Sequence, residues 1–205
     1  MMLKHLPNIL TFGRLVLSVI FLAMLFFEPT LPPDRDMSFP GYLDVAFLIF
    51  IIAALTDMVD GAIARKLNVT SKFGRIIDPL ADKILICGSF VVFALIGQPK
   101  LFNLDNYILT LFHWLVVGIL IARDVYVTIL RHIAEARGVN FGAILSGKIK
   151  VFLQYFAVGA IMVKMAHVQT ALWGYWFITL TLIIMLIVTI ISGFTYHIRW
   201  RKFSS

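Results

Sequence analysis

Six apolar stretches divide the chain, each close to the length needed to cross a bilayer. They run roughly over Ile9–Phe27, Tyr42–Arg65, Arg75–Ile96, Tyr107–Arg137, Ala143–Met165 and Ala171–His197. A hydrocarbon core takes about 20 apolar residues per helix. Inside it every backbone N–H and C=O must be bonded within the protein, so a run of this kind has to be helical. The composition agrees: 60% of the 205 residues are hydrophobic and 14% are charged, against about 45–50% and about 25% in soluble domains. The expected fold is therefore an all-α membrane protein of about six transmembrane helices in a single domain, 1–205. A short amphipathic segment over residues 1–10 is expected to lie at the interface, with Asn8 capping a helix that begins at Ile9.

Charge sets the expected orientation. All but three of the 18 Lys and Arg residues (Arg35, Lys100 and Lys164) fall on the side shared by the N-terminus, the 66–74 turn, the 137–146 loop and the C-terminus. The positive-inside rule places that side, with both termini, in the cytoplasm. A net charge of +7 would suggest nucleic acid in a soluble protein; here anionic lipid headgroups and topology account for it, and no nucleic-acid partner is expected. The first apolar run ends in Glu28-Pro29 and Pro32-Pro33 rather than in a small-residue cleavage site, so no cleavable signal peptide is expected. One cysteine, Cys87, precludes an intramolecular disulfide.

The chemistry concentrates between the second and third runs, in DMVDGAIARKLNVTSKFGRIIDPLADK, residues 57–83. Four aspartates fall there as two pairs, Asp57/Asp60 at i,i+3 and Asp78/Asp82 at i,i+4. On a helix each pair shares one face. The polar segment between them, with Asn68, Thr70, Ser71 and Gly74, reads as a turn that sets one pair against the other. Four close carboxylates repel one another unless cations lie among them. Oxygen-only donors favour hard divalent ions, Mg²⁺ or Mn²⁺, over zinc. Two such ions would balance four negative charges. Gly61 and Gly74 leave room for a ligand to approach the backbone, and Arg65 offers a planar donor for phosphate oxygens.

The string Asp57-x2-Asp60-Gly61-x2-Ala64-Arg65-x8-Gly74-x3-Asp78-x3-Asp82 resembles, without a gap, the signature of the CDP-alcohol phosphatidyltransferases. The resemblance implies a membrane enzyme that moves a phosphatidyl group from CDP-diacylglycerol to an alcohol with metal help. It implies Asp57, Asp60, Asp78 and Asp82 as metal ligands, with Asp82 also the general base. Gly61, Ala64, Arg65 and Gly74 would hold the CDP-lipid. A homodimer is implied by the same likeness, and the charge bias puts the acids on the cytoplasmic side of an inner (cytoplasmic) membrane.

A second group of charges lies in the fourth and fifth runs. Arg123 and Arg131 are eight apart and share a helical face, with Asp124 beside them. A charge at the bilayer centre costs about 2.5–3.5 kcal/mol on insertion scales, so a polar cavity suits them better than lipid. Snorkelling to the headgroups, or structural pairing with Asp78 or Asp82, is the competing explanation. Lys148 and Lys150 oppose the dipole at a helix start, which either an anionic ligand or the inside-positive bias explains. These residues, with Asn8-x2-Thr11-x2-Arg14 and Gly147-Lys148-Ile149-Lys150-x3-Gln154, resemble the branch of the family whose acceptor is glycerol 3-phosphate and whose product is phosphatidylglycerophosphate. That implies Arg123, Arg131 and Lys148 at the acceptor phosphate, with Lys150 a weaker candidate. No Ser or Cys stands in a nucleophile setting, so direct transfer is expected. The same chemistry on inositol phosphate, serine or phosphatidylglycerol stays open, as does a divalent-cation transporter. The scattered histidines (His5, His113, His132, His167 and His197) show no ligand spacing, and Trp173, Trp176 and Trp200 suit an interfacial belt.

Overall fold

In the computed structural model the backbone is described for residues 6–28, 41–67, 72–102, 104–138 and 144–204, and side chains for 12–28, 41–56, 83–102, 104–138 and 144–202. Six helices make up the fold: α1 (Leu6–Phe27), α2 (Tyr42–Leu67), α3 (Lys72–Ile96), α4 (Asn106–Ala136), α5 (Leu145–His167) and α6 (Leu172–Ser204). No strand occurs among the described residues. Three stretches, Asn106–Ala136, Leu145–His167 and Leu172–Lys202, are long and apolar enough to cross a membrane, and shorter apolar helical stretches cover Phe12–Phe27, Tyr42–Thr56 and Lys83–Ile96.

The helices close into a ring. α1 packs on α2 and α3, α3 on α4, α4 on α6, α6 on α5, and α5 returns to α2, while α3 also meets α5 across the middle. Aromatic side chains join the walls: the Phe50 ring lies 5.2 Å from that of Phe21 and 5.9 Å from that of Tyr155, tying α2 to α1 and α5. Large apolar side chains also cover the outside, among them Leu111, Phe152, Leu180 and Phe194. That is what a bundle solvated by lipid requires, since lipid tails are as apolar as its own core.

Helix ends follow local chemistry. Gly97 and Gly138 adopt φ of 68° and 73° beyond α3 and α4, a left-handed conformation that glycine enters without a Cβ penalty. Gly138 donates its N–H to the Glu135 carbonyl at 3.0 Å. At the N-terminus the expectation is revised. α1 already includes Leu6, with Pro7 and Asn8 in its first turn, so residues 6–10 continue the first helix rather than form a separate interfacial segment, and Asn8 does not precede the helix. Proline is compatible with a first turn because its missing N–H would have no intrahelical acceptor there. Residues 1–5 of the expected interfacial segment, the 29–40 part of the first loop and the 68–71 part of the turn lie outside the described residues.

Contacts between helix ends fix how the bundle is stacked. His167 Nε2 lies 2.7 Å from Asp44 Oδ1, joining the end of α5 to the start of α2. The Tyr42 hydroxyl donates to the Met24 carbonyl at 3.0 Å, joining the same end to the last turns of α1. At the opposite end the final turns of α4 and α6 meet the start of α5, where the Ile144 N–H donates to the Tyr196 hydroxyl at 3.3 Å. The second half of α2 and the first turns of α3 belong to that opposite end too. Only four residues join them, and the reach of an extended chain keeps Leu67 and Lys72 within about 18 Å.

Candidate active site

The polar residues of α4, α5 and α6 collect around one aromatic ring. Tyr196 in α6 is fully buried, at 0% exposure. The guanidinium carbons of Arg123 and Arg131 lie 5.5 Å and 5.1 Å from its ring centre, within cation–π range. Eight residues make a little more than two helical turns, so both arginines of α4 reach the same ring. Arg131 Nη2 donates to the Tyr196 hydroxyl. Gly147 permits the close fit: a Cβ there would stand 3.2 Å from that hydroxyl.

Asp124 supplies the negative charge. Lys150 of α5 donates to its two oxygens at 2.7 Å and 2.8 Å, and Arg123 Nη1 donates to Oδ1 at 3.0 Å. Arg123 Nη2 turns the other way and donates to the Ser192 hydroxyl of α6. One turn past Asp124, Thr128 Oγ1 donates back to the Asp124 carbonyl at 2.6 Å and accepts from Lys83 Nζ of α3 at 2.8 Å. The α3–α4 register is thereby set: the Asp78–Asp82 turn of α3 stands near the level of the Ile129–Ile133 turn of the antiparallel α4.

Two cations, Arg123 and Lys150, thus meet one carboxylate, and a third, Arg131, shares the Tyr196 ring with Arg123. Arg123 Nε and Arg131 Nε are buried without a hydrogen-bond partner among the described residues, as are Gln154 Nε2 and Ser146 Oγ. Buried donors are usually satisfied, and an excess of positive charge with unused donors is the complement of an anionic oxygen cluster.

The two lysines of α5 separate. Lys150 is 3% exposed and held by Asp124, whereas Lys148 is exposed. Residues two apart on a helix point about 200° away from each other, so only one of them faces the cluster. Tyr196, Ser192 and Thr128 were not singled out from the sequence. Spacing gives no sign of a tyrosine one whole helix away, although the i,i+4 pair Ser192/Tyr196 on an otherwise apolar helix was there to be read.

Asp57 and Asp60 lie in α2, and Asp78 and Asp82 in α3, both helical at those positions as the spacing predicts. The side chains of Asp57, Asp60, Asp78 and Asp82, with those of Ala64 and Arg65, the surroundings of Gly61 and Gly74, and the side chains of Asn8 and Thr11, lie outside the described residues. Arg14 is described: it is 1% exposed, on the helix that packs against both α2 and α3, and its carbonyl accepts the Ser18 hydroxyl at 2.8 Å. The donor set fits hard divalent cations, being four carboxylates on two consecutive helices whose adjoining ends are held close by a short connection. Three of the histidines have ordinary partners, His113 with the Pro99 carbonyl, His167 with Asp44 and His197 with the Tyr126 hydroxyl.

Residues 4–195 match the family described as CDP-alcohol phosphatidyltransferase. Among similar proteins, CDP-diacylglycerol–glycerol-3-phosphate 3-phosphatidyltransferase of Bacillus subtilis is 32% identical over 194 residues, covering 94% of this chain and 93% of the relative. A probable phosphatidylglycerophosphate synthase of Mycobacterium tuberculosis is 32% identical over 200 residues, covering 96% and 82%. The Rickettsia felis protein named like the Bacillus one is 28% identical over 206 residues, covering 98% and 97%.

The Asp124–Lys150 pair is open to a double-mutant test. Asp124→Asn leaves the buried Lys150 without its carboxylate and should cost about 3–5 kcal/mol, whereas Lys150→Met leaves Asp124 paired with Arg123 and should cost less. The double variant should recover a substantial part of that loss, read from thermal unfolding in detergent. Additive losses would show that the two side chains do not depend on each other.

Proposed function

The chain belongs to the CDP-alcohol phosphatidyltransferase family, and from that premise we propose that it transfers the phosphatidyl group of CDP-diacylglycerol to sn-glycerol 3-phosphate, giving phosphatidylglycerophosphate and CMP. The observation that carries the acceptor assignment is the surplus of cations about Asp124 and Tyr196. Arg123, Arg131 and Lys150 against one carboxylate leave two positive charges uncompensated among the described residues. A phosphate monoester carries about −1.5 to −2 at pH 7, so its head group suits that surplus. Serine has no phosphate to place there, whereas inositol phosphate has one, so the surplus selects a phosphorylated acceptor. The names of the relatives point to glycerol 3-phosphate.

In this reading Asp57, Asp60, Asp78 and Asp82 would hold two Mg²⁺ or Mn²⁺ ions. When bound, such ions neutralise pyrophosphate oxygens and stabilise a departing phosphate. Arg65 contacts a phosphate of the donor, while Gly61, Ala64 and Gly74 make space for the nucleotide. Arg131 and Arg123, oriented by the Tyr196 ring, grip the acceptor phosphate. Lys150 faces the same cluster, and Lys148, on the exposed side of α5, serves the entrance. Asp82 takes the proton from the acceptor's primary hydroxyl as its oxygen attacks phosphorus. A new P–O bond forms, the bond to CMP breaks, and CMP leaves as the phosphate anion. Holding both substrates in one geometry supplies much of the rate.

The six helices are read as six spans, with both termini and the acids at the cytoplasmic face of the inner membrane and the protein a homodimer. A cation path is a poorer account, because Arg123, Arg131 and Lys150 would repel a passing ion.

Assays of CMP release by the purified protein across acceptors test the assignment. Glycerol 3-phosphate should be turned over at least tenfold faster than serine, inositol phosphate or phosphatidylglycerol, and a preference for any of these would replace it. Asp82→Asn should lower kcat by a factor of about 10²–10⁴ with the protein still folded; near-normal turnover would remove the base assignment. Arg131→Ala should raise KM for glycerol 3-phosphate by roughly tenfold or more, given a charge-assisted hydrogen bond. Tyr196→Phe, which keeps the ring and loses the hydroxyl, should raise it less. A change confined to KM for CDP-diacylglycerol would move Arg131 to the donor site.

A further inference from the structure

Two cavities meet at Lys164, toward the bundle end away from the acids. The first, about 460 Å³, lies between α2, α5 and α6 and is apolar, with Phe47, Ala54, Phe156, Ala160, Trp173 and Phe177 in its walls. The second, about 150 Å³, is lined by Glu28, Gln98, Lys100, Lys164, Met165 and Gln169. Lys164 lines both. His167, three residues on, meets Asp44 at the start of α2. Asp57 lies on the same helix, 1.5 Å of rise per residue further along, so about 20 Å separates its level from that of Asp44.

Lys164 is only 5% exposed. Its ammonium rests 4.2 Å from the centre of the Tyr175 ring and meets no carboxylate among the described residues. A buried ammonium without a counter-charge is costly, and the neighbouring cavity adds a second cation, Lys100, with two side-chain amides against the one carboxylate of Glu28. The polar cavity is thus an anion's environment. The apolar cavity lies within the size range of small-molecule sites and reaches from Lys164 to Ala54. A ligand that fills both must be anionic at one end and hydrocarbon at the other.

We propose that this is a binding site for an anionic phospholipid of the leaflet opposite the acids, its phosphate on Lys164 and Lys100 and one acyl chain between α2, α5 and α6. Neither substrate of the proposed reaction is needed for it.

Trp173, in the cavity wall and open to lipid, is the reporter. The probes are phosphatidylglycerol and phosphatidylcholine with brominated acyl chains, added to the purified full-length chain in which Trp114, Trp176 and Trp200 are replaced by Phe. Brominated phosphatidylglycerol should quench Trp173 at a mole fraction roughly tenfold lower than phosphatidylcholine does, because phosphatidylcholine brings a quaternary ammonium beside Lys164 and Lys100 and so cancels the attraction of its own phosphate. Lys164→Gln should abolish the difference, Lys164→Arg should keep it, and Ala160→Phe should weaken quenching by both lipids. Should the Gln variant fail to fold, Lys100→Gln beside Lys164→Arg gives the same comparison. Equal quenching by the two lipids, an undiminished preference in the Gln variants, or displacement by inorganic phosphate would overturn the proposal. So would an Ala160→Phe variant that raises KM for CDP-diacylglycerol while Lys164→Gln changes nothing, because the cavity would then serve the donor's chains.

Discussion

A charge among apolar helices has to be answered locally, since neither lipid nor hydrocarbon side chains can solvate it. The polar interior of this bundle is built on that constraint. Asp124 answers Lys150 and Arg123, Tyr196 offers its ring and hydroxyl to Arg131, and Thr128 links the group to Lys83 on α3. Each contact joins two different helices or fixes one that does. The charges that make the site are therefore also what holds α3, α4, α5 and α6 in register around it.

The same constraint governs the four acids of α2 and α3. Carboxylates at i,i+3 and i,i+4 on helices joined by so short a connection cannot all stay ionised beside one another without cations. Divalent ions supply the counter-charge compactly, and the positions they would occupy lie at the bundle end that carries the Arg131 cluster. Donor, acceptor and base would then meet where α2 ends, α3 begins and α4 passes.

Much of this was legible in the sequence because membrane helices obey few rules. The apolar runs placed the start of α2 at Tyr42 and the end of α3 at Ile96, and the left-handed glycines Gly97 and Gly138 lie just beyond α3 and α4. The shared face of Arg123 and Arg131 was a matter of spacing. What escaped was relational. Arg131 finds its partner on α6, 65 residues away, and periodicity within one helix says nothing about which neighbour it meets. The dipole argument treats Lys148 and Lys150 alike and the resemblance put Lys148 first; the packing of α5 on its neighbours is what turns Lys150 inward. The start of α1 escaped because Asn8, a residue that suits a cap, lies instead in the first turn after Leu6.

The central claim is that paired acids on α2 and α3 hold divalent ions essential for turnover. Its most direct test is CMP release from CDP-diacylglycerol and glycerol 3-phosphate by protein stripped with EDTA and then titrated with Mg²⁺ or Mn²⁺. The account predicts loss of activity on stripping and recovery as either ion is returned, with no recovery in an Asp57→Asn/Asp78→Asn variant. Undiminished turnover in excess EDTA would contradict it.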